Sequence, residues 1–352
     1  MTAWPNQLFL DVLQIDLPII QAPMAGASGA EMAIAVARAG GLGSLPCAIL
    51  SIEQAHAEIA TFRAAGSWPL NLNFFCHAPP ALDTERDAAW KKALAPYYEE
   101  LAITPDAALA APTRTPFNES MCGLVEASRP EVVSFHFGLP DADLLNRVKA
   151  TGAKVLSTAT TVSEARWLET HGCDALIAQG AEAGGHRGMF LTRDITTQVG
   201  TLALVPQVVD AVSIPVIAAG GIADERGIVA AFALGAALVQ IGTAYLFCPE
   251  ATIDPLHRVA LLRARDTDTA LTNMMTGRPA RAIMNRLMRE LGPMSPAAPE
   301  FPLASSALAP LRSAARTPED FAQLWSGQAA SLGIELPAEV LTRQLADRAR
   351  AF

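Results

Sequence analysis

The chain has no CxxC pair among its five cysteines, Cys47, Cys76, Cys122, Cys173 and Cys248, and this odd, scattered set supports neither a disulfide framework nor a zinc site. A reducing cytoplasm follows as the expected home. No apolar stretch runs to roughly 18 residues without a polar break, and no basic segment followed by an apolar one opens the sequence, so neither a membrane span nor an export signal is expected. Basic charge is scarce: 26 Lys and Arg against 35 Asp and Glu leave a net charge of -9, which argues against nucleic acid or an anionic membrane as partner. Tyrosine occurs only at Tyr97, Tyr98 and Tyr245, and no lysine follows Lys154. No GxGxxG turn appears early in the chain, which counts against an open dinucleotide-binding sheet.

What is present is apolar and periodic. Over 352 residues, 51% are hydrophobic and 17% charged, enough to bury a large core. Short apolar runs alternate with amphipathic ones. Candidate strands are Pro18–Pro23, Gly41–Leu45, Leu70–Phe75, Val132–Phe137, Lys154–Thr158, Ala175–Gln179, Val216–Ala219 and Leu238–Ile241. Helical stretches lie between them at Gly29–Ala39, Ile52–Ala65, Ala142–Thr151, Val162–His171, Ile195–Ala211 and Glu225–Leu234. Such a beat predicts an α/β fold, a (β/α)8 TIM barrel over residues 1–250 with a smaller helical accessory domain. The rhythm breaks at about 77–130, where Asp83–Leu101 and Asn118–Ser128 read as helices around an Ala111–Pro116 link. It breaks again over 251–352, where helices are expected at Asp254–Asp266, Ala280–Leu291, Thr317–Leu332 and Pro337–Ala349, capping the barrel mouth.

Chemistry concentrates at strand ends. Gln179-Gly-Ala-Glu-Ala-Gly-Gly-His-Arg-Gly188 follows the strand Ala175–Gln179, so Gly184 and Gly185 permit close backbone approach to a ligand beside the titratable His186. Taken alone, the motif reads more readily as a tight turn with a surface histidine, and the rest of the chain has to shift that balance. Ala218-Ala-Gly-Gly-Ile222 and Gln240-Ile-Gly-Thr243 stand where a barrel's last two loops bind phosphate through backbone N–H groups, which singles out Gly220, Gly221, Gln240, Ile241, Gly242 and Thr243. The first strand ends in Gln21-Ala-Pro-Met-Ala-Gly26. Asn71 and Asn73 share a face of the third, and His136 ends the fourth. Glu182 is placed either to orient His186 or to cap a helix. No histidine cluster has metal-ligand spacing, so no metal is expected.

These motifs together resemble the nitronate monooxygenases, formerly 2-nitropropane dioxygenases, and the class I branch in particular. The resemblance runs through nearly the whole chain and includes Thr276-Gly-Arg-Pro-Ala-Arg281 and Leu324-Trp-Ser-Gly-Gln-Ala-Ala330. It implies an FMN enzyme that oxidises nitronates or nitroalkanes with O2 to a carbonyl compound and nitrite, as a monomer or homodimer. Position by position, Ala22, Pro23 and Met24 would lie beside the flavin ring with Asn73. Gln179, Gly184 and Gly185 would hold the ring or ribityl chain, and Gly220, Gly221 and Gln240–Thr243 the phosphate. His186 matches the catalytic histidine, acting as base on a nitroalkane or as positioning group for a nitronate, and His136 and Phe301 are candidate substrate contacts. Relatives carry tyrosines and a lysine in the C-terminal segment, where this chain has Phe301 and Ser305. A carboxylated nitronate then requires an arginine such as Arg278 or Arg281. Two other readings share the glycine turns: an FMN-dependent NAD(P)H:quinone or enoyl-thioester reductase, and a non-redox phosphosugar lyase or isomerase, against which the lack of a strand-ending lysine counts.

Overall fold

The computed structural model describes residues 4–81, 83–104, 114–315, 317 and 320–352. Eight parallel strands form the framework: β1 (Ile19–Gln21), β2 (Gly43–Pro46), β3 (Leu70–Phe75), β4 (Val132–His136), β5 (Lys154–Ala159), β6 (Ala175–Gln179), β8 (Val216–Ala219) and β9 (Leu238–Ile241). They pair in the order β1-β9-β8-β6-β5-β4-β3-β2, and a parallel bridge between Ile20 and Leu42 closes the ring. The fold is a TIM barrel. Almost every residue of these strands is buried, because helices cover the outer face and side chains fill the inner one, so they read as continuous apolar runs.

The covering helices are specified locally by their ends. Ser51 and Gln54 form a reciprocal capping box at the start of α3 (Ile52–Ala65), Asp224 caps α9 (Glu225–Ala233), and Gly40 closes α2 (Ala30–Ala39) at φ +102°. The stretch expected as one helix over Ile195–Ala211 is instead a 3-10 turn at Ile195–Thr197 followed by α8 (Thr201–Val209).

A second buried cluster joins the insertion to the tail. Here α4 (Thr84–Glu100) packs against α12 (Ala304–Ala314), with Trp90, Leu94, Tyr98, Met274, Leu287, Leu308 and Phe321 in the shared core. Tyr98 donates to Ala307 O at 2.6 Å and Trp90 Nε1 to Ala304 O at 3.3 Å, so the two segments lock at specific register. Truncating Trp90 to alanine removes a fully buried ring, a change that costs about 3–5 kcal/mol. At the chain's end, α13 (Ala338–Ala351) lies on α2 and α9 of the barrel.

Two expected helices are corrected. Ala280–Leu291 is strand β11 (Ala280–Ile283) followed by the short α11 (Arg286–Glu290), and the described part of Thr317–Leu332 contains no α-helix and has a 3-10 turn at Ala330–Leu332. Strand β11 is sandwiched between β10 (Thr269–Thr272) and β7 (Gly185–His186) in a small antiparallel sheet, so pairing overrides the helical propensity of its alanines and arginine. The Ala111–Thr113 part of the expected link lies outside the described residues. No helix among the described residues is long and apolar enough to cross a membrane.

Candidate active site

The carboxyl ends of the strands open into a cavity of about 670 Å³, within the usual range for a small-molecule or cofactor site. Twelve of the residues singled out above as cofactor-binding line it: Ala22, Pro23, Met24, Asn73, Gln179, Gly184, Gly185, Gly220, Gly221, Gln240, Gly242 and Thr243. His136 and His186 line it too. Ile241 does not; its side chain is buried in the barrel wall. Phe301 is absent from the lining and packs behind His186, its ring centroid 5.3 Å from the imidazole.

The β8 and β9 loops offer backbone. Gly220 and Gly221 adopt φ +109° and +71°, conformations L side chains rarely take, and among the described residues the N–H groups of Gly221 and Gly242 donate to no carbonyl. Gln240 Oε1 is buried without a partner among the described residues. Free N–H groups at such turns suit an anion, and an orphaned acceptor suits a ligand N–H or hydroxyl. Gly184 has a different reason to be glycine: a Cβ there would stand 2.5 Å from Gly327 N of the tail. Thr243 Oγ1 in turn accepts from Gly327 N at 2.9 Å, so the tail is fastened across the β9 loop.

The polar residues of β3, β4 and β6 are mostly committed to the protein. Asn73 Nδ2 donates to Ser134 Oγ at 2.9 Å, which leaves its carbonyl oxygen for the cavity. Gln179 Nε2 donates to His186 O at 3.0 Å while its Oε1 accepts from Gly188 N at 2.8 Å. The Gln179 amide therefore shapes the histidine turn instead of facing a ligand. His136 does likewise, with Nδ1 3.0 Å from Thr158 Oγ1 and Nε2 3.1 Å from His186 O. Of the two roles open to Glu182, the structure shows the helix cap: its carboxylate accepts from the N–H and hydroxyl of Thr201 at the start of α8.

His186 itself is held on β7 by pairing with Ala280, and its Nε2 lies 2.9 Å from Thr276 Oγ1. Its Nδ1 has no partner among the described residues. Phe75, Phe137, Phe301 and Trp325 surround the ring, with centroids 5.3 to 6.3 Å away. Burial pushes its pKa well below the ordinary value, and the charges of Arg114, His136, Arg278 and His77 push the same way. The imidazole is neutral. Because the Thr276 hydroxyl can accept from or donate to Nε2, Nδ1 is available either as a lone pair or as an N–H donor.

Sequence reasoning missed the cations of this wall. Arg278 and Arg281, the arginines suggested for an anionic substrate, do not line the cavity: Arg278 lies 3.8 Å over the Phe137 ring and donates to Met189 O, and Arg281 Nε donates to Ala181 O at 2.8 Å. Arg114 and Arg312 line it instead. His77, just past the end of β3, is buried beside Phe301, with ring centroids 4.8 Å apart. His257 donates or accepts through Nε2 at Trp325 O, 2.9 Å away. Among the described residues no group of His, Cys, Asp and Glu is placed to hold a metal.

A closed barrel with backbone donors after its last two strands and a buried histidine at the same mouth defines a (β/α)8 enzyme with its chemistry at the carboxyl ends of the strands. The nitronate monooxygenase family model matches residues 6–347. A nitronate monooxygenase of Pseudomonas aeruginosa is 42% identical over 346 residues, 97% of this chain and 99% of that protein. Nitroalkane oxidase from Streptomyces ansochromogenes has a similar crystal structure, with 36% identity and a TM-score of 0.86, covering 97% of this chain and 98% of that one. FabK from Thermotoga maritima is more distant, at 26% identity and a TM-score of 0.73 over 100% and 97% of the two chains. The chain belongs to the nitronate monooxygenase family and is an oxidoreductase.

Proposed function

We propose that this protein uses FMN, held at the barrel mouth, to oxidise alkyl nitronates with O2 to a carbonyl compound and nitrite. The observation that carries the reading is His186: a neutral imidazole, walled by aromatic rings and neighbouring cations, that lines the cavity at the barrel mouth with Nδ1 unpartnered among the described residues. Cations that disfavour an imidazolium favour an anion beside it. The site therefore suits a substrate that arrives as the nitronate better than one whose proton His186 must take, and Nδ1–H would donate to a nitronate oxygen with Thr276 donating to Nε2.

The residues present fit FMN. Gly221 and Gly242 N–H groups would take the phosphate, the orphaned Gln240 Oε1 would accept from the ring or a ribityl hydroxyl, and Ala22–Met24 with Asn73 would flank the ring. When bound, FMN supplies the one-electron chemistry that an organic anion and oxygen otherwise lack. The chain contributes orientation through His186, exclusion of water through Phe75, Phe137, Phe301 and Trp325, and a fixed turn through Gln179 and His136. In this reading the 77–130 insertion and the 251–352 segment act together as the accessory domain over the mouth, and the protein works in the cytoplasm.

The test is direct. Purified protein should be yellow, release FMN on denaturation, and consume oxygen with ethyl nitronate while producing nitrite. Colourless protein without flavin, or flavoprotein that consumes oxygen with NADH and not with the nitronate, would overturn the reading in favour of a non-redox barrel or a reductase respectively.

A further inference from the structure

Arg187 directly follows His186 in the chain, and its side chain is fully buried. Consecutive side chains of an extended strand face opposite sides, so with His186 at the cavity Arg187 enters the protein behind it. There the guanidinium is bonded through all three of its nitrogens. Nη2 donates to Gln179 O and Nη1 to Gly180 O, each at 2.7 Å, and Nε donates to Gln198 Oε1 at 2.8 Å. No carboxylate pairs with it directly among the described residues.

Its counter-charge arrives through a relay. Gln198 Nε2 donates to Thr160 Oγ1 at 3.1 Å, and that hydroxyl donates to Glu164 Oε2 at 2.7 Å. Glu164, in α7 (Val162–Thr170), is fully buried too, and its other oxygen accepts from the N–H groups of Phe190 and Leu191. Burial lowers the Arg187 pKa to about 9 and the charge of Arg281 pushes the same way, while Glu182 and Glu164 oppose them, so the guanidinium is charged at neutral pH. Two buried charges held apart by neutral side chains are a costly way to fill a core, which apolar residues of similar volume commonly do as well.

What the arrangement secures is direction. Arg187 holds the main-chain oxygen of Gln179, while the Gln179 amide holds the residues on either side of Arg187, donating to His186 O and accepting from Gly188 N. Three consecutive residues, 186 to 188, are thus bonded to one residue at the end of β6. The His186 backbone can shift only with that closed loop of bonds. A rigid planar guanidinium meets three fixed acceptors at once, which an ammonium on a flexible stem does less well.

We propose that Arg187 is a positioning residue for the reaction: its fork, anchored on Gln179 and Gly180, sets the attitude of the His186 ring toward the substrate. The inference rests on the reading of His186 as the group that steadies a nitronate, but the hold can be followed without turnover.

Arg187→Lys keeps a buried cation and gives up the fork. In flavoprotein labelled with 15N-histidine, the ring signals of His186, identified by their loss in His186→Ala, should shift in Arg187→Lys, while those of the exposed His171 stay in place. The kcat/KM for oxygen uptake with ethyl nitronate should fall about 30-fold in Arg187→Lys, and less than about threefold when the same change is made in His186→Ala, with one flavin per chain throughout. A substitution that merely loosened the fold would act by the same factor in both backgrounds, and that result overturns the proposal. Unmoved His186 ring signals overturn it as well. Should Arg187→Lys fail to fold, Gln198→Met removes one acceptor and leaves the two carbonyl bonds, and the same comparison then expects a loss of about fivefold in the wild type and none in His186→Ala. If the nitronate is not turned over but the His186 signals still follow Arg187, the nitronate reading falls and the hold stands.

Discussion

The two walls of the cavity are built in opposite ways. On the β8–β9 side the chain offers main chain at Gly220, Gly221 and Gly242, where the N–H groups of Gly221 and Gly242 donate to no carbonyl among the described residues. On the β3–β4 side it offers side chains: the rings around His186 and the guanidiniums of Arg114 and Arg312, drawn from β3, β7, the insertion and the tail. A backbone cradle reads phosphate whatever is attached to it, whereas a wall of side chains reads one substrate. The first wall accordingly suits a cofactor shared across many enzymes, and the second carries what is particular to this one.

Variants on each side should separate these roles. The largest effect is expected from His186→Ala, which removes the Nδ1 donor: kcat/KM with ethyl nitronate should drop about 100-fold while bound flavin stays near one per chain, read from its visible absorbance. Equal loss of flavin and activity would erase the distinction between the walls. Gly221→Val acts on the other side. A branched side chain at φ +71° strains the turn that presents its N–H, so FMN affinity measured by fluorescence titration of the apoprotein should weaken about tenfold, with kcat at saturating FMN little changed.

A smaller change tests how His186 is steered. Thr276→Val deletes the hydroxyl partner of Nε2 and should lower kcat/KM roughly fivefold, the worth of one neutral hydrogen bond, and Thr276→Ser should restore it. If valine and serine behave alike, Thr276 only fills space. The smallest effect is on stability. Burial holds His77 at about 4 and His136 at about 3, both below the usual 6.5. The unfolded chain then takes up protons that the folded one refuses, so stability is complete above pH 6.5 and is lost as the pH falls below it. Each histidine should cost about 1 kcal/mol between pH 7 and 5.5, and denaturant midpoints at the two values check it. Activity on preformed nitronate should meanwhile show no histidine ionisation near pH 6.5.

The contrast between the walls also explains which parts could be read ahead of the structure. The eight strands were legible because burial on both faces leaves uninterrupted apolar runs, and the Gly-Gly turns because a positive φ demands a particular residue at a particular place. Arg114 and Arg312 were not, since nothing local distinguishes a solvated arginine from one that the tertiary fold turns into a cavity. Thr276 sat in a recognisable string without any hint that it would meet His186, ninety residues away. Strand β11 was hidden for a related reason: Ala280-Arg-Ala-Ile283 has helical propensity, and only its neighbours β7 and β10 make it extended. Those neighbours place His186 on a strand edge, where its ring is fixed by pairing and not left on a free loop.

The central claim is that this cavity joins a flavin to an anionic nitronate, with His186 steadying the substrate. Anaerobic titration of the purified protein, followed through the flavin absorbance band, tests it most directly. Ethyl nitronate should reduce the bound flavin, admission of oxygen should restore the spectrum with release of nitrite, and an equal concentration of NADH should leave the band unchanged. Bleaching by NADH with no response to the nitronate would contradict the account.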